Sequence, residues 1–330
     1  MLPVTIVIPT FGRDEVLTNT VQHLLNLAVP AAEILIVDQT ATHTPEAQEC
    51  LSHWNKTGSI RWIQLSRPSI TKAMNCGLRE ARCALVLFLD DDIIPTSQLV
   101  ESHATAHQKC PDLWATVGQV IQPWQQPEPL LAPRRLTRLR ADFDFPFHST
   151  IDQPVLNVMA GNLCVRRDKA LKIGGFDENF VGAAYRFETD FARRVNAAGG
   201  PIRFLGTAGI NHLRIASGGT RSTGSHLTSV DPKHGIGDYY FAFLHGGKLE
   251  SWRYASIRVV REVTTKFHAA HPWWIPVKLI GELRAMWGGW RMARKMVAVS
   301  SRQSPEKSGV SIIGPKSMAD SNSTESAGTP

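Results

Sequence analysis

Four short apolar runs within the first 92 residues, separated by stretches of helical spacing, constrain this chain more than any other feature. Residues 4–10 read VTIVIPT, rich in β-branched side chains, and predict a buried strand. EILIVDQT ends a second run at Asp38, residues 60–66 give a third, and ALVLFLDDD a fourth. Between them, residues 14–27 carry apolar side chains at helical spacing, a polar helix starts near Pro45, and residues 70–82 form a third helix. This order predicts an α/β chain with a Rossmann-like, mostly parallel central sheet flanked by helices.

Polar residues close these strands at their carboxyl ends: Thr10, Asp38, Ser66 and Asp90. Open α/β sheets bind ligands at that edge. The first strand-to-helix turn, PTFGRDE, lacks GxGxxG, and no GxxxxGK[ST] occurs, so neither a dinucleotide fingerprint nor a P-loop is present.

Asp90-Asp91-Asp92 follows VLFL directly. Three adjacent carboxylates repel one another and are partly desolvated beside a buried strand. A hard divalent cation, Mg²⁺ or Mn²⁺, relieves both penalties and leaves room for phosphate oxygens and water. The competing reading is that Asp92 caps the helix near Thr96.

Beyond residue 121 the chain changes character. Residues 122–154 are rich in Pro, Arg and aromatics and predict an irregular lid across the sheet. VLNVMAGNLCVRR predicts a strand, ETDFARRVNAAGG a helix stopped at Gly199-Gly200, and PIRFLGTAGINHLR a strand pair or strand-turn. Residues 216–237 are Gly/Ser/Thr-rich and predict a mobile loop. The expected division is a catalytic domain over 1–238, a helical extension over 239–300 and a disordered tail over 301–330.

The 330-residue chain has a net charge of +7. Residues 245–302 hold eleven Lys and Arg against three Glu, a net of +8, so the remainder sums to −1. A uniformly basic nucleic-acid binder would look different, and a nucleic acid is not the expected partner. In the basic stretch Trp273, Trp274, Trp287 and Trp290 alternate with Lys278, Arg284, Arg291, Arg294 and Lys295. That pattern suits either an anionic membrane surface or a charged helix packed on the catalytic part. Five cysteines without a CxxC pair read as free thiols. The N-terminus shows no basic lead into an apolar stretch, and no apolar run reaches the ~18 residues of a spanning helix. The expected location is the cytoplasm, with peripheral attachment to the inner face of the cell membrane as an option.

PTFGR at 9–13, the strand-ending Asp38, NCGLREA at 75–81 and FLDDDIIP at 88–95 together resemble the N-terminal half of an inverting GT-A glycosyltransferase of family 2. GNLCVRRDKALKIGGFDENF at 161–180 and FETDFARRVNAAG at 187–199 resemble its acceptor half. The resemblance covers residues 3–215. It implies a GT-A fold, a nucleotide-diphosphate sugar donor, a divalent metal, and a glycan or lipid-linked glycan acceptor. Pro9, Thr10 and Arg13 would line the nucleotide pocket. Asp38 would accept from the base, Asn75 would orient the ribose and phosphates, and Asp90 and Asp91 would contact nucleoside and sugar. Asp92 would ligate the metal, with Asp90 and His212 as further ligand candidates. Glu188 and Asp190 are the candidates for the catalytic base; the usual acidic doublet here reads Phe187-Glu188. Residues 218–221, Gly-Gly-Thr-Arg, would grip a phosphate or form a plain polar loop. Gly161-Asn162 and Gly174 to Asp177 would make tight turns around the acceptor pocket.

Two rivals remain on the sequence alone. A nucleotide-sugar nucleotidyltransferase would want a Gly-rich basic loop after the first strand, which PTFGR does not supply. A degenerate GT-A domain acting as a membrane scaffold would not need three aspartates at the strand end.

Overall fold

The computed structural model describes residues 2–132, 139, 146–215, 218–219 and 225–303, with side chains up to residue 296. It opens with β1 (Leu2–Thr10), α1 (Glu15–Leu25), β2 (Ala31–Asp38), α2 (Pro45–Thr57), β3 (Arg61–Gln64), α3 (Ile70–Glu80) and β4 (Leu85–Leu89), the expected alternation. Local chemistry sets the ends. Thr44 caps α2 by accepting from the Ala47 amide, Pro45 stands at its first turn, and Gly58 ends it with a left-handed φ of 77°. Ser69 caps α3 through the Lys72 amide.

There follow β5 (Ile93–Pro95), α4 (Leu99–Lys109), β6 (Ala115–Ile121), β7 (Gln153–Val155), β8 (Asn162–Arg166), α5 (Arg167–Lys172), α6 (Phe187–Ala197) and β9 (Ile202–His212). The sheet order is β3-β2-β1-β4-β8-β6-β9-β5, with β7 also on β9. Strands β3, β2, β1 and β4 run parallel. β8 is antiparallel to β4 and β6, while β6 and β9 are parallel; β5 and β7 oppose β9. Six of the nine strands among the described residues therefore point one way, which makes this a mostly parallel sheet with an antiparallel strand inserted at β8.

Two apolar clusters cover the faces. Val4, Ile6 and Ile8 of β1 join one cluster, and Val7 joins the other, as the two-residue period of a strand requires. Helix α3 lies so close to β1 that a Cβ on Gly77 would stand 2.2 Å from Val7 Cγ1. Burying each such aliphatic side chain contributes about 1.5–3 kcal/mol. Phe176 locks the second half of the chain onto the first: it meets Phe88 edge-on at 5.4 Å and stacks on Phe191 at 4.5 Å.

Three expectations about local structure are refined. In VLNVMAGNLCVRR the strand residues are Val155, which closes β7, and Asn162–Arg166 of β8; between them the Val158 amide turns onto Asn157 Oδ1 and the Ala160 amide onto Glu188, which takes that backbone out of the sheet. Residues 202–212 form one strand with two sets of partners, not a pair. The helical stretch after residue 235 divides into α7 (Ile236–His245), α8 (Lys248–Val263), α9 (Lys266–Ala270) and α10 (Ile275–Gln303). Tyr240, Phe241 and Ala242 of α7, Tyr254 of α8 and Ala293 of α10 share one apolar cluster with Phe88 and Phe176. Most of the segment 133–145, the residues 216–217 and 220–224, and the tail from 304 lie outside the described residues.

Candidate active site

The aspartate run sits between the end of β4, which pairs antiparallel with β8, and β5, which pairs antiparallel with β9. Leu89 pairs with Asn162, so Gly161 comes to face Asp90. Ile93 of β5 pairs with His212, which sets that imidazole beside Asp92. His212 Nε2 lies 3.2 Å from Asp92 Oδ1 and 3.5 Å from Asp90 Oδ2. One donor atom from each of Asp90, Asp92 and His212 falls within 4.8 Å of the others.

This donor set fits a divalent cation. Two carboxylates and an imidazole suit Mn²⁺ better than Mg²⁺. A Cβ on Gly161 would stand 2.2 Å from Asp90 Oδ2, so only glycine leaves the carboxylate its place. Asp92 is firmly anchored: its Oδ2 accepts from the Ile215 amide at 3.0 Å and its carbonyl from the Leu213 amide at 2.8 Å. Burial would raise the Asp92 pKa, but His212 and Arg13 outweigh it and hold the carboxyl below its ordinary range. Burial would lower His212, but Asp92 and Asp90 outweigh it and raise it.

Asp91 turns away from the trio into the protein. Its Oδ2 accepts from Thr10 Oγ1 at 2.6 Å, and burial pushes its carboxyl up to about 7 against the pull of Arg13. Arg13 itself lies across the site, Nη1 2.9 Å from Asp92 Oδ2 and 3.7 Å from Asp91 Oδ1. The contact is an ion pair and not an aligned hydrogen bond. Gly219 donates to the Phe11 carbonyl at 2.7 Å, which brings 218–219 against the first strand-to-helix turn. Thr220 and Arg221 lie outside the described residues.

Asp38 ends β2 on the same edge, beyond Pro9 and Thr10, whose strand pairs with it in register. It is fully enclosed. Oδ1 accepts from the Thr40 amide at 2.8 Å; Oδ2 accepts from His43 Nε2 at 2.6 Å and Trp62 Nε1 at 2.9 Å. Three of its roughly four lone-pair positions are thus taken by the chain. His43 also donates from Nδ1 to Asp14 at 2.6 Å. Burial would lower that imidazole, but the two carboxylates outweigh it and raise its pKa. Nothing in the spacing of His43 or Trp62 marked them as partners of Asp38.

Asn75 is likewise committed to the chain. Its Nδ2 donates to the Phe176 carbonyl at 2.8 Å and its Oδ1 accepts from the Phe176 amide at 2.8 Å. It holds the Gly174–Gly175 turn against α3, where a Cβ on Gly175 would meet Asn75 Oδ1 at 2.4 Å.

The two acids of α6 differ sharply. Asp190 is buried, with Oδ2 accepting from Arg194 at 2.8 and 2.9 Å and Oδ1 in contact with His245 Nε2 at 2.8 Å. Glu188 is half-buried, and its Oε1 accepts from the Ala160 amide at 2.9 Å. Ala160 precedes Gly161, so Glu188 and Asp90 flank the same short piece of backbone. Arg186 sets the start of α6 with a left-handed φ of 76° and is held by Asp238 at 3.1 Å and the Leu139 carbonyl at 2.6 Å.

The comparisons agree with this architecture. A glucosyl-dolichyl phosphate glucuronosyltransferase of Haloferax volcanii is 24% identical over 188 residues, which cover 54% of this chain and 57% of that protein. The chain thus spans little more than half of that relative. Among solved structures, GalNAc-T7 with UDP, GalNAc and Mn²⁺ superimposes with a TM-score of 0.50 at 15% identity, covering 64% of this chain and 43% of that one. TarS of S. aureus in complex with UDP-GlcNAc superimposes with a TM-score of 0.54 at 12% identity, covering 90% and 92%. At such identities the likeness is one of fold. The sequence model described as glycosyl transferase family 2 matches residues 5–174, more than half of the chain, from within β1 to beyond the Asp90–Gly161 contact, and this chain belongs to that family.

Proposed function

We propose that the chain moves a sugar from a nucleoside-diphosphate donor to an acceptor hydroxyl, with inversion, using Mn²⁺ or Mg²⁺. The observation that carries this reading is the convergence of Asp90, Asp92 and His212 at the carboxyl edge of the sheet, with Glu188 across the Ala160–Gly161 backbone. A divalent cation bound there would neutralise charge on the leaving diphosphate. Thr10 and Arg13 shape the nucleotide side of that edge; Arg13 adds a fixed guanidinium close to where the phosphates would lie.

Glu188 is the base in this reading. Asp190 is enclosed and already bonded by Arg194 and His245, so it cannot meet an acceptor, and we assign it to positioning α6. The Glu188 carboxylate takes the acceptor proton while the acceptor oxygen bonds to the anomeric carbon from the face opposite the diphosphate. The bond from that carbon to the diphosphate oxygen breaks, and a nucleoside diphosphate leaves. One displacement gives inversion. For Asp38, we propose that it shapes the base pocket chiefly by ordering Thr40, His43 and Trp62. The acceptor we infer is a glycan or a lipid-linked glycan, in line with the dolichyl phosphate in the name of the Haloferax relative.

The test is a panel of UDP- and GDP-sugars with Mn²⁺, read by release of nucleoside diphosphate and by the anomeric configuration of any product. Donor-specific release that requires the cation supports the reading. Absence of both binding and release for every donor overturns it, and a retained anomeric centre removes Glu188 from the role of base.

A further inference from the structure

Among the described residues, the long helix α10 carries a face with no partner. Met296 is exposed on the opposite side of α10, and the other large exposed apolar side chains of the helix are Ile280, Leu283 and Trp287. At about 100° per residue, they fall with Pro276 and the partly exposed Trp290 within an arc of about 80°. Trp287 and Trp290 adjoin at 4.9 Å, and Arg294 lies over the Trp290 ring at 4.8 Å, extending the row by one turn. Trp273, 65% exposed, stands just before the helix.

Charge on this face is of one sign. Arg284, Arg291, Arg294 and Lys295 are all exposed. Glu282 is the one acid between residues 271 and 296, and it is buried, bonded to Tyr239 at 2.7 Å and Lys278 at 2.7 Å. The helix is not long and apolar enough to cross a bilayer. An aromatic and aliphatic row with a cationic flank and no exposed acid is the pattern of a helix lying in a membrane interface. Trp rings favour the headgroup level, and arginines pair with lipid phosphates.

We infer that this face of α10 seats the protein on an anionic bilayer, with Ile280, Leu283 and Trp287 entering the interface and Arg284, Arg291 and Arg294 contacting headgroup phosphates. The inference goes beyond the sugar-transfer reading and stands without it, because it uses no residue of the Asp90–His212 edge. It complements that reading, since a surface-bound enzyme can meet a lipid-linked acceptor.

Co-sedimentation of the full chain with phosphatidylcholine vesicles, with and without phosphatidylglycerol, tests it. The expected result is binding to the anionic vesicles, little binding to phosphatidylcholine alone, and about tenfold or greater weakening in Leu283→Glu/Trp287→Glu. Arg291→Gln/Arg294→Gln, which inserts no charge, should weaken binding about tenfold or more and flatten its salt dependence. This second pair covers the case in which the first fails to fold. Three results overturn the inference: no sedimentation of the unaltered chain with anionic vesicles; binding untouched by the Glu pair in a folded variant, which means adsorption by charge alone; or a concentration-dependent dimer that the Glu pair dissolves without any vesicle binding, which gives the face to a second copy of the chain.

Discussion

His212 Nε2 lies 3.2 Å from Asp92 Oδ1 because β5 and β9 pair Ile93 with His212, so a residue 120 positions away completes the acidic strand end. The pairing predicts that Mn²⁺ affinity depends on both. Asp92→Asn and His212→Ala should each weaken Mn²⁺ binding by about 100-fold or more, beyond the loss usual for an outer-shell change. Electron paramagnetic resonance of free Mn²⁺ reads this directly. Unchanged affinity in His212→Ala would leave the imidazole as a mere hydrogen-bond partner of Asp92.

Gly161 tests the same edge without removing a candidate metal-binding side chain. An added Cβ would stand 2.2 Å from Asp90 Oδ2, and the Asp90 side chain is exposed enough to move aside. Gly161→Ala should therefore unfold within about 1 kcal/mol of the unaltered chain yet bind Mn²⁺ and donor distinctly less well. Thermal unfolding and donor titration, run side by side, separate the two effects.

The acids of α6 should part company under substitution. Glu188→Gln is expected to abolish transfer while nucleoside diphosphate binding persists. Asp190→Ala strands Arg194 and His245 beside a hollow and should cost on the order of 3 kcal/mol of stability. Chemical denaturation and single-turnover assays on both variants check the assignment; a stable, inactive Asp190→Ala would reverse it.

Acid sensitivity should come from the core. His103 is fully buried between Thr116 Oγ1 at 2.7 Å and Asn162 Oδ1 at 2.9 Å, and burial pushes it and His107 down to about 4. An unfolded His titrates near ~6.5, so below that pH the unfolded chain binds protons that the folded chain refuses. The stability is present above pH ~6.5 and is lost as pH falls toward 4. Between pH 7 and 5 each histidine should contribute a loss of about 2 kcal/mol. Asp91, His43 and His212, all raised, act in the opposite direction over the same range, so urea unfolding of the unaltered chain is compared with that of His103→Gln/His107→Gln; a loss between pH 7 and 5 that is unchanged in the variant would contradict it.

The alternation of β1 through β4 was legible in the sequence because each buried strand is a short continuous apolar run, closed by a polar residue at the ligand edge. The insertion of β8 was not, since its partners depend on contacts such as Leu89 with Asn162 across more than 70 residues. The aspartate run pointed to a candidate cation site by its own repulsion, but the different placement of its three carboxylates did not show: only the fold turns Asp91 inward to Thr10 and leaves Asp90 and Asp92 facing His212. Asp38 and Asn75 could be picked as polar residues near the edge. That His43 and Trp62 enclose the first, and that the Phe176 backbone occupies the second, follows from tertiary packing that no local pattern encodes.

The most direct test is calorimetric titration of UDP and GDP into the unaltered chain and into Asp92→Asn, each with and without Mn²⁺. The account predicts that at least one nucleotide binds, that Mn²⁺ strengthens it, and that Asp92→Asn removes the cation's effect while the protein remains folded. Binding that is indifferent to Mn²⁺, or a cation effect that survives Asp92→Asn, would contradict it.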